Sequence, residues 1–243
     1  MNDPQALYEA INTETSEVLV GYDDVIKKIT IAILTNGHIL LEGVPGVAKT
    51  TAARLFARVS DLQYQRVQMT PDVLPADITG THVYRDETGE FDLRRGPIFT
   101  NVLLADEINR ATPKTQSALL ESMRERTVTI EGETLEIPRP FLVIATQNPV
   151  EYEGTYSLPQ AQRDRFLFKI IMDIPKRSVE RQVLDRFTHR PNFGPQDIES
   201  TIDTETIESA RETVREVHVE DRVYEYLLNI IEATRSHQAT EFG

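Results

Sequence analysis

Apolar and polar positions follow a repeating order through most of the chain. Between about residues 37 and 173, short apolar runs alternate with stretches of helical periodicity. This order is typical of a mostly parallel sheet that helices cover on both faces. The runs predict five buried strands, at residues 38–42, 63–68, 102–106, 141–146 and 166–174. The pattern therefore predicts an α/β fold with a five-stranded parallel sheet.

Two segments interrupt this order. Residues 82–91 and 127–137 alternate polar and apolar side chains around a turn, the first at residues 86–89 and the second at residues 131–133. Alternation with a period of two around a glycine-containing turn predicts a β-hairpin. Neither segment has the periodicity of a crossover helix, so we interpret both as insertions on the core sheet.

Helical periodicity replaces the strand pattern after Ile174 and Pro175. Three successive segments each place apolar residues on one helix face. The faces consist of Val179, Val183, Leu184 and Phe187, then Ile207, Ala210, Val214 and Val217, and finally Val223, Tyr226, Leu227, Ile230 and Ile231. We therefore expect an α/β domain over residues 1–175 and an all-helical subdomain over residues 176–243.

Composition narrows the classes of function. The formal net charge is −13, which disfavours non-specific binding to nucleic acid or to anionic membranes. The chain has no cysteine and therefore neither disulfides nor thiolate metal sites. No apolar run has the length of a membrane span, and the first residues do not resemble a signal peptide. We expect a protein of the cytoplasm.

The strongest chemical pattern lies between the first predicted strand and the helical stretch that starts at Thr51. It consists of Gly43, Val44, Pro45, Gly46, Val47, Ala48, Lys49 and Thr50. A glycine-rich loop between a strand and a helix lets several backbone N–H groups point at one phosphate, and the helix start adds partial positive charge. These residues, with Thr51, predict a site for ATP or ADP.

Two residues of this loop have separate roles in the prediction. Lys49 would neutralise the β and γ phosphates, and the Thr50 hydroxyl would ligate Mg²⁺. Ala48 stands where the general pattern has glycine. A small side chain keeps the loop if that residue is helical, so we expect the site to be retained.

Carboxylates follow the third predicted strand. Asp106 and Glu107 end an apolar run, and the carboxyl ends of parallel strands form the ligand-binding edge of a sheet. Asp106 would hold the magnesium ion, and Glu107 would orient and polarise the attacking water. Thr112 and Pro113 then predict the start of a helix.

An amide follows the fourth predicted strand. Asn148 could hydrogen-bond the γ-phosphate or the attacking water and report the loss of the phosphate after hydrolysis. An Asn-Pro turn, Asn148-Pro149, is the alternative interpretation. The two neighbouring motifs favour the catalytic interpretation.

Together, these motifs resemble the AAA+ superfamily and, within it, the MoxR branch. The resemblance rests on the loop at residues 43–50 and on the segments at residues 70–80, 96–99, 104–111, 145–149 and 154–156. Ala48 is itself what this branch uses. The resemblance implies a P-loop fold, an ATP-hydrolysing motor that remodels or matures protein clients, and a homo-hexameric ring with ATP between neighbours.

The resemblance also implies roles for further residues. Arg165 matches the arginine finger that acts on the adjoining subunit, and Arg163 is the alternative, because Gln160 and Arg163 stand where the family usually has Glu and Leu. Val20 and Gly21 match the segment that lines the adenine pocket. The two hairpins match insertions that project toward the central pore, where a client would be held.

Partners and alternatives follow from the same resemblance. A separate protein with a von Willebrand factor A domain is the expected partner. The chain ends where a lid arginine is expected, so we expect an incomplete lid. A nucleotide-dependent binding switch with little turnover, a nucleic-acid translocase and a magnesium-chelatase-like motor for metal insertion are the alternative functions.

Overall fold

The computed structural model describes residues 3–87, 89–150 and 154–240. Thr88, in the turn of the first predicted hairpin, lies outside the described residues. Nine strands occur in the described part of the chain. They are β1 Ile39–Glu42, β2 Tyr64–Gln68, β3 Gly80–Arg85, β4 Glu90–Arg95, β5 Val102–Asp106, β6 Thr127–Ile130, β7 Glu133–Glu136, β8 Leu142–Gln147 and β9 Phe168–Ile171.

Nine α-helices accompany these strands among the described residues. They are α1 Pro4–Ser16, α2 Asp23–Leu34, α3 Lys49–Val59, α4 Pro75–Thr79, α5 Pro113–Glu125, α6 Gln160–Arg163, α7 Arg177–His189, α8 Thr204–Arg215 and α9 Asp221–Ser236. Helix α5 starts as predicted, because the Thr112 side chain accepts a hydrogen bond from the Thr115 N–H and Pro113 occupies the first turn. Within the described residues, no helix combines the length and apolar character that crossing a membrane requires.

Five strands form the predicted parallel sheet, in the order β2-β5-β8-β1-β9. All neighbouring strands in this sheet run parallel. Each predicted strand is confirmed, although β9 is shorter than the predicted stretch from 166 to 174. The two predicted insertions are also confirmed as antiparallel hairpins, β3–β4 and β6–β7.

The sheet separates two hydrophobic cores. Side chains alternate along each strand, so Ile39 and Leu41 enter one core and Leu40 enters the other. The first core contains residues of α1, α2 and α3, including the fully buried Phe56. The second core contains residues of α5, with Leu119 and Met123 buried. This three-layer arrangement places the carboxyl ends of β1, β5 and β8 at one edge of the sheet.

The three predicted C-terminal helices form, but their apolar faces differ in burial. Helix α8 buries Ile207 and Ala210 in the first core, because it packs against α1 and α2. Helix α9 buries none of its residues, and Tyr226 and Ile230 on its predicted apolar face are exposed. The division of the chain near residue 175 stays a prediction.

Candidate functional site

A cleft of about 700 Å³ opens at the carboxyl edge of the parallel sheet. Strands β5 and β8 and helix α3 meet there, because parallel strands end on the same side. Ten of the residues that the sequence predicts for the site line this cleft. They are Val20, Pro45, Gly46, Ala48, Lys49, Thr50, Thr51, Asp106, Glu107 and Asn148.

The phosphate loop turns through two residues with positive φ. Gly46 has φ 89°, which glycine adopts without a steric penalty. Ala48 has φ 61° and ψ 23° and precedes α3 in the left-handed conformation. The sequence interpretation made retention of the loop conditional on a helical Ala48, and the residue is not in the right-handed helical conformation. A methyl side chain tolerates the left-handed region at a cost of about 1–2 kcal/mol, so alanine still fits the turn.

Lys49 is the first residue of α3 and projects into the loop. Its Nζ contacts the carbonyl oxygen of Gly43 and lies 3.4 Å from that of Gln147. The amino group therefore lies between the loop and the end of β8. An ammonium ion at this point, beside the N-terminus of α3, makes the mouth of the loop favourable for an anion.

Four residues that the sequence assigned to nucleotide binding do not line the cleft. Val47 is buried in the first core, and Val44 lines a separate cavity with Pro149. Gly43 lies against β9, where an added Cβ would be 2.4 Å from the Met172 carbonyl oxygen. Gly21 lies against α7, where an added Cβ would be 2.9 Å from Val179. The two glycines therefore allow close packing behind the cleft.

The carboxylate of Asp106 is held on both sides. Its side chain is 10% exposed. The Thr146 hydroxyl donates to Oδ1 at 2.6 Å. Arg66, from the neighbouring strand β2, donates to Oδ2 from Nε at 2.9 Å and from Nη2 at 2.7 Å. Both oxygens of the predicted metal ligand therefore have donors within the protein.

Glu107 has a strained backbone, and hydrogen bonds hold both its N–H and its side chain. Its φ of 60° and ψ of 53° lie in the left-handed region, which is uncommon outside glycine and concentrates at functional sites. Its N–H donates to the Thr146 hydroxyl oxygen at 2.8 Å. Its Oε2 accepts from Gln68 Nε2 at 2.7 Å and from Arg110 Nη1 at 3.0 Å.

These contacts close into a cycle. Arg66 Nη2 also donates to Gln68 Oε1 at 2.7 Å, so β2 connects the partners of both acids. We call the closed path through Arg66, Asp106, Thr146, Glu107 and Gln68 the hydrogen-bond cycle. It forms because β2, β5 and β8 are neighbours and because the strand register sets Gln68 beside Asp106. The cycle fixes the relative positions of the two carboxylates.

Asn148 lies directly after β8 and is 4% exposed. Its Oδ1 accepts the Val150 N–H at 3.2 Å, which orients the amide. Its Nδ2 makes no hydrogen bond to the residues that the structure describes and is therefore available as a donor in the cleft. The residue thus combines a turn with a position in the cleft, and its contact with a phosphate stays a prediction.

The two candidate finger arginines lie outside the cleft of their own chain. Arg163, at the end of α6, donates from Nη2 to Gln160 Oε1 at 2.6 Å. The exposed side chain of Arg165 makes no hydrogen bond or ion pair to the described residues. Arg165 is thus the one of the two whose guanidinium is not bonded to its own chain within the described ranges.

Sequence reasoning missed two groups of residues in the site. The first is the polar set Arg66, Gln68 and Thr146, and only strand register reveals their partners. The second is an apolar wall of the cleft opposite the phosphate loop. Its residues include Leu19, Tyr22, Val183, Phe187 and Phe193. An apolar wall beside a phosphate-binding loop fits the base of a nucleotide, so the cleft has a polar and an apolar end.

The donor set of the cleft fits a magnesium ion. Thr50 and Asp106 both line it and both supply oxygen. Mg²⁺ is commonly held by one or two protein oxygens together with phosphate oxygens and waters. The described ranges contain no group of three or more His, Cys, Asp or Glu side chains that could hold a metal alone. A site completed by the nucleotide is consistent with this composition.

Comparisons with known proteins agree with this geometry. A profile of the ATPase family associated with various cellular activities (AAA) matches residues 38–168. The chain is 45% identical to YeaC of Bacillus subtilis over 228 residues, which cover 94% of this chain and 71% of YeaC. It is 46% identical to Chaperone MoxR1 of Mycobacterium tuberculosis over 222 residues, which cover 91% of this chain and 58% of that protein.

A solved structure has the same fold. A crystal structure of a protein from Cytophaga hutchinsonii superposes with a TM-score of 0.85 at 41% sequence identity. The superposition covers 95% of this chain and 71% of the other. The shared fold includes the parallel sheet and the helices that form the cleft.

Proposed function

The chain belongs to the MoxR branch of the AAA+ ATPases, and from this membership we propose that it binds ATP with Mg²⁺, hydrolyses it, and uses the energy to remodel protein clients. One observation carries the proposal. Lys49, Thr50, Asp106, Glu107 and Asn148 line one cleft at the carboxyl edge of the sheet. Their chemistry matches the requirements of a triphosphate, a metal ion and an attacking water.

Binding depends on charge and backbone donors. The N-terminus of α3 and Lys49 attract the β and γ phosphates, and the apolar wall with Tyr22 and Phe187 takes the base. Thr50 and Asp106 would hold Mg²⁺. When bound, the ion would supply positive charge that offsets the negative charge of the phosphates.

Hydrolysis depends on the groups around the γ-phosphate. A water attacks the γ-phosphorus and the bond to the bridging oxygen breaks, which releases ADP and phosphate. Glu107 orients this water and accepts its proton. Asn148 donates a hydrogen bond from Nδ2 to the phosphate or the water. The fixed positions of these groups lower the reorganisation that the reaction requires.

The active unit in this proposal is a homo-oligomeric ring, with six subunits as in the family resemblance. Arg165 supports the ring because its exposed guanidinium lies outside its own cleft and is not bonded to the described residues. In a neighbouring cleft it would stabilise charge on the transferred phosphoryl group. A separate von Willebrand factor A domain protein and a cytoplasmic location belong to the same proposal.

The hairpins are the proposed client contacts. Tyr84 and Phe91 face each other across β3–β4 with ring centroids 5.2 Å apart, and they are 52% and 68% exposed. Exposed aromatic pairs are unusual on a surface that binds nothing. His82 Nδ1 of the first hairpin lies 3.3 Å from Glu131 Oε2 in the turn of the second, so the two hairpins are in contact. MoxR1 is named a chaperone, which supports a protein client for this chain.

The hydrogen bonds of Glu107 favour one alternative, a nucleotide-dependent binding switch with little turnover. Gln68 and Arg110 both donate to Oε2 of Glu107, so one oxygen of this carboxylate is bonded within the protein. A switch needs nucleotide binding but does not need this carboxylate. The two functions therefore differ in what the loss of Glu107 does.

Phosphate release and nucleotide affinity separate the two functions. The motor proposal expects Glu107→Gln to retain ATP affinity and to lose release by about 10²- to 10⁴-fold, the usual contribution of a general base. Glu121→Gln, an exposed carboxylate of α5, is the matched control and should leave release unchanged. Release that survives Glu107→Gln at the wild-type rate contradicts the motor proposal.

A further inference from the structure

We propose that Arg66 is a positioning residue that pairs with the Asp106 oxygen a metal ion would use and is displaced when Mg²⁺ binds with nucleotide. This inference rests on the proposed function, because it assumes a magnesium–nucleotide complex in the cleft. It adds a competition between a guanidinium and the metal ion for one carboxylate oxygen. Arg66 would thereby set how strongly nucleotide affinity depends on Mg²⁺.

Both oxygens of Asp106 accept hydrogen bonds from the protein. Oδ1 accepts from the buried Thr146, whose hydroxyl also holds the Glu107 backbone. Oδ2 accepts two N–H groups of Arg66, which fill the acceptor positions of one carboxylate oxygen. The ion, or a water bound to it, can use Oδ2 only after the guanidinium leaves.

Asp106 and Arg66 differ in burial. The Asp106 side chain is 10% exposed and Arg66 is 48% exposed. Asp106 is fixed at the end of an interior strand, whereas Arg66 projects from β2 at the edge of the sheet. A displaced guanidinium can therefore reach water at low cost, while the carboxylate stays in place. The arginine is the movable member of the pair.

The charges around Asp106 also favour competition between Arg66 and the metal ion. Asp106 and Glu107 bring two negative charges next to the position of a triphosphate. Arg66 and Arg110 each pair with one of these acids and offset that charge without metal. Mg²⁺ brings its own positive charge to Asp106, and two cations at one oxygen repel each other. Arg66 and the metal therefore bind Asp106 in competition.

Arg66 is also connected to Glu107 through Gln68. Arg66 Nη2 bonds Gln68 Oε1, and Gln68 Nε2 bonds Glu107 Oε2. When Arg66 leaves Asp106, the hydrogen-bond cycle opens on the β2 side. The acid that prepares water then loses part of its restraint in the same step in which the metal binds.

The test compares nucleotide affinity with and without metal. Calorimetric titration with the ATP analogue AMP-PNP gives Kd in excess Mg²⁺ and in EDTA, and the ratio of Kd in EDTA to Kd in Mg²⁺ reports the metal dependence. Arg66→Gln removes the competitor and also removes charge neutralisation in EDTA. We expect the ratio to rise at least about tenfold over wild type, as loss of one charge-assisted hydrogen bond would produce.

Arg54→Gln is the matched control. Arg54 is an exposed arginine of α3 near Tyr64 and makes no hydrogen bond or ion pair to the described part of the chain. Its replacement removes the same charge from the neighbourhood without touching Asp106. The ratio for Arg54→Gln should equal the wild-type ratio.

The outcomes separate this inference from the proposed function. A wild-type ratio in folded Arg66→Gln overturns the inference, because the loss of an ion pair with a purely structural role would lower only the unfolding temperature. If Arg66→Gln does not fold, Arg66→Met, which keeps side-chain length without the charge, decides by the same measurement: an increased ratio supports the competition and a wild-type ratio overturns it. Failure of the wild-type protein to bind AMP-PNP with Mg²⁺ contradicts the proposed function itself.

Discussion

The hydroxyl of Thr146 donates a 2.6 Å hydrogen bond to Oδ1 of Asp106 between the neighbouring strands β8 and β5. Thr146 is fully buried and Asp106 is 7% exposed, so water does not replace this bond easily. The same hydroxyl oxygen accepts the Glu107 N–H. One side chain therefore orients both Asp106, the proposed metal ligand, and Glu107, the residue proposed to orient the attacking water.

We expect Thr146→Val to reduce ATP hydrolysis by at least about tenfold and the free energy of unfolding by about 1–3 kcal/mol, because it leaves a buried carboxylate oxygen and an N–H unpaired. Urea unfolding and phosphate release measure the two effects. Thr134→Val, at an exposed position of β7, is the control and should change neither. Normal hydrolysis in Thr146→Val would show that the bond is dispensable.

Arg165→Ala should reduce phosphate release by about 10³- to 10⁵-fold, the range for arginine fingers. Arg163→Ala should reduce it by only a few-fold, because Arg163 is bonded to Gln160 in its own helix. Mixing Arg165→Ala subunits with Lys49→Ala subunits should restore part of the activity, since some clefts then receive both groups. An equal loss in the two arginine variants, or no recovery on mixing, would contradict the assignment.

His38 should make the free energy of unfolding depend on pH. Burial lowers its pKa from the ordinary 6.5 to about 4, the Met123 carbonyl opposes this shift, and the charge of Arg126 adds to it. Nδ1 accepts from the Val143 N–H at 3.0 Å and Nε2 donates to the Met123 carbonyl at 3.2 Å, an arrangement that requires the neutral ring.

The unfolded chain therefore binds more protons than the folded chain between these two pKa values. The contribution of His38 to the free energy of unfolding is fully present above pH 6.5. It falls as pH decreases from 6.5 toward 4, by up to about 3 kcal/mol. Urea midpoints for wild type and His38→Gln across this interval measure the effect. The variant should be less stable at neutral pH but should lose less on acidification, and parallel curves would exclude His38 as the cause.

Two glycines of the phosphate loop should differ in how they tolerate alanine. Gly43→Ala places a Cβ 2.4 Å from the Met172 carbonyl oxygen, so we expect a loss of about 1–3 kcal/mol in stability from overpacking. Gly46→Ala meets no atom within 4 Å and is strained only by its φ of 89°. It should cost about 1–2 kcal/mol. Thermal unfolding compares them, and a Gly43→Ala protein as stable as wild type would show that β9 yields.

The sheet could be predicted because its strands are apolar runs in an alternating order. Buried positions such as Leu104 and Ile144 leave no other placement for these segments, and the two hairpins have turn residues at their centres. The family resemblance was likewise confirmed by the match over residues 38–168. Lys49, Asp106 and Glu107 could be predicted to lie close together because they sit at or after the ends of parallel strands, and all three line the cleft.

The remaining parts depend on register and tertiary contact. Arg66 and Gln68 are ordinary polar residues of an edge strand until the pairing of β2 with β5 sets Gln68 beside Asp106. The left-handed conformation of Ala48 depends on the loop as a whole and not on local propensity. Helix α9 has a periodic apolar face, but periodicity does not tell whether another element covers it, and its residues are exposed.

The position of β2 has a mechanical consequence. An outermost strand is bonded along one side only, so a small sliding movement breaks fewer backbone contacts than the same movement in the interior. The chain continues from Gln68 through α4 directly into β3–β4. If Arg66 moves as proposed, β2 is the strand of the sheet that offers least resistance to following it, and the chain connects this strand through α4 to the hairpin that carries Tyr84 and Phe91.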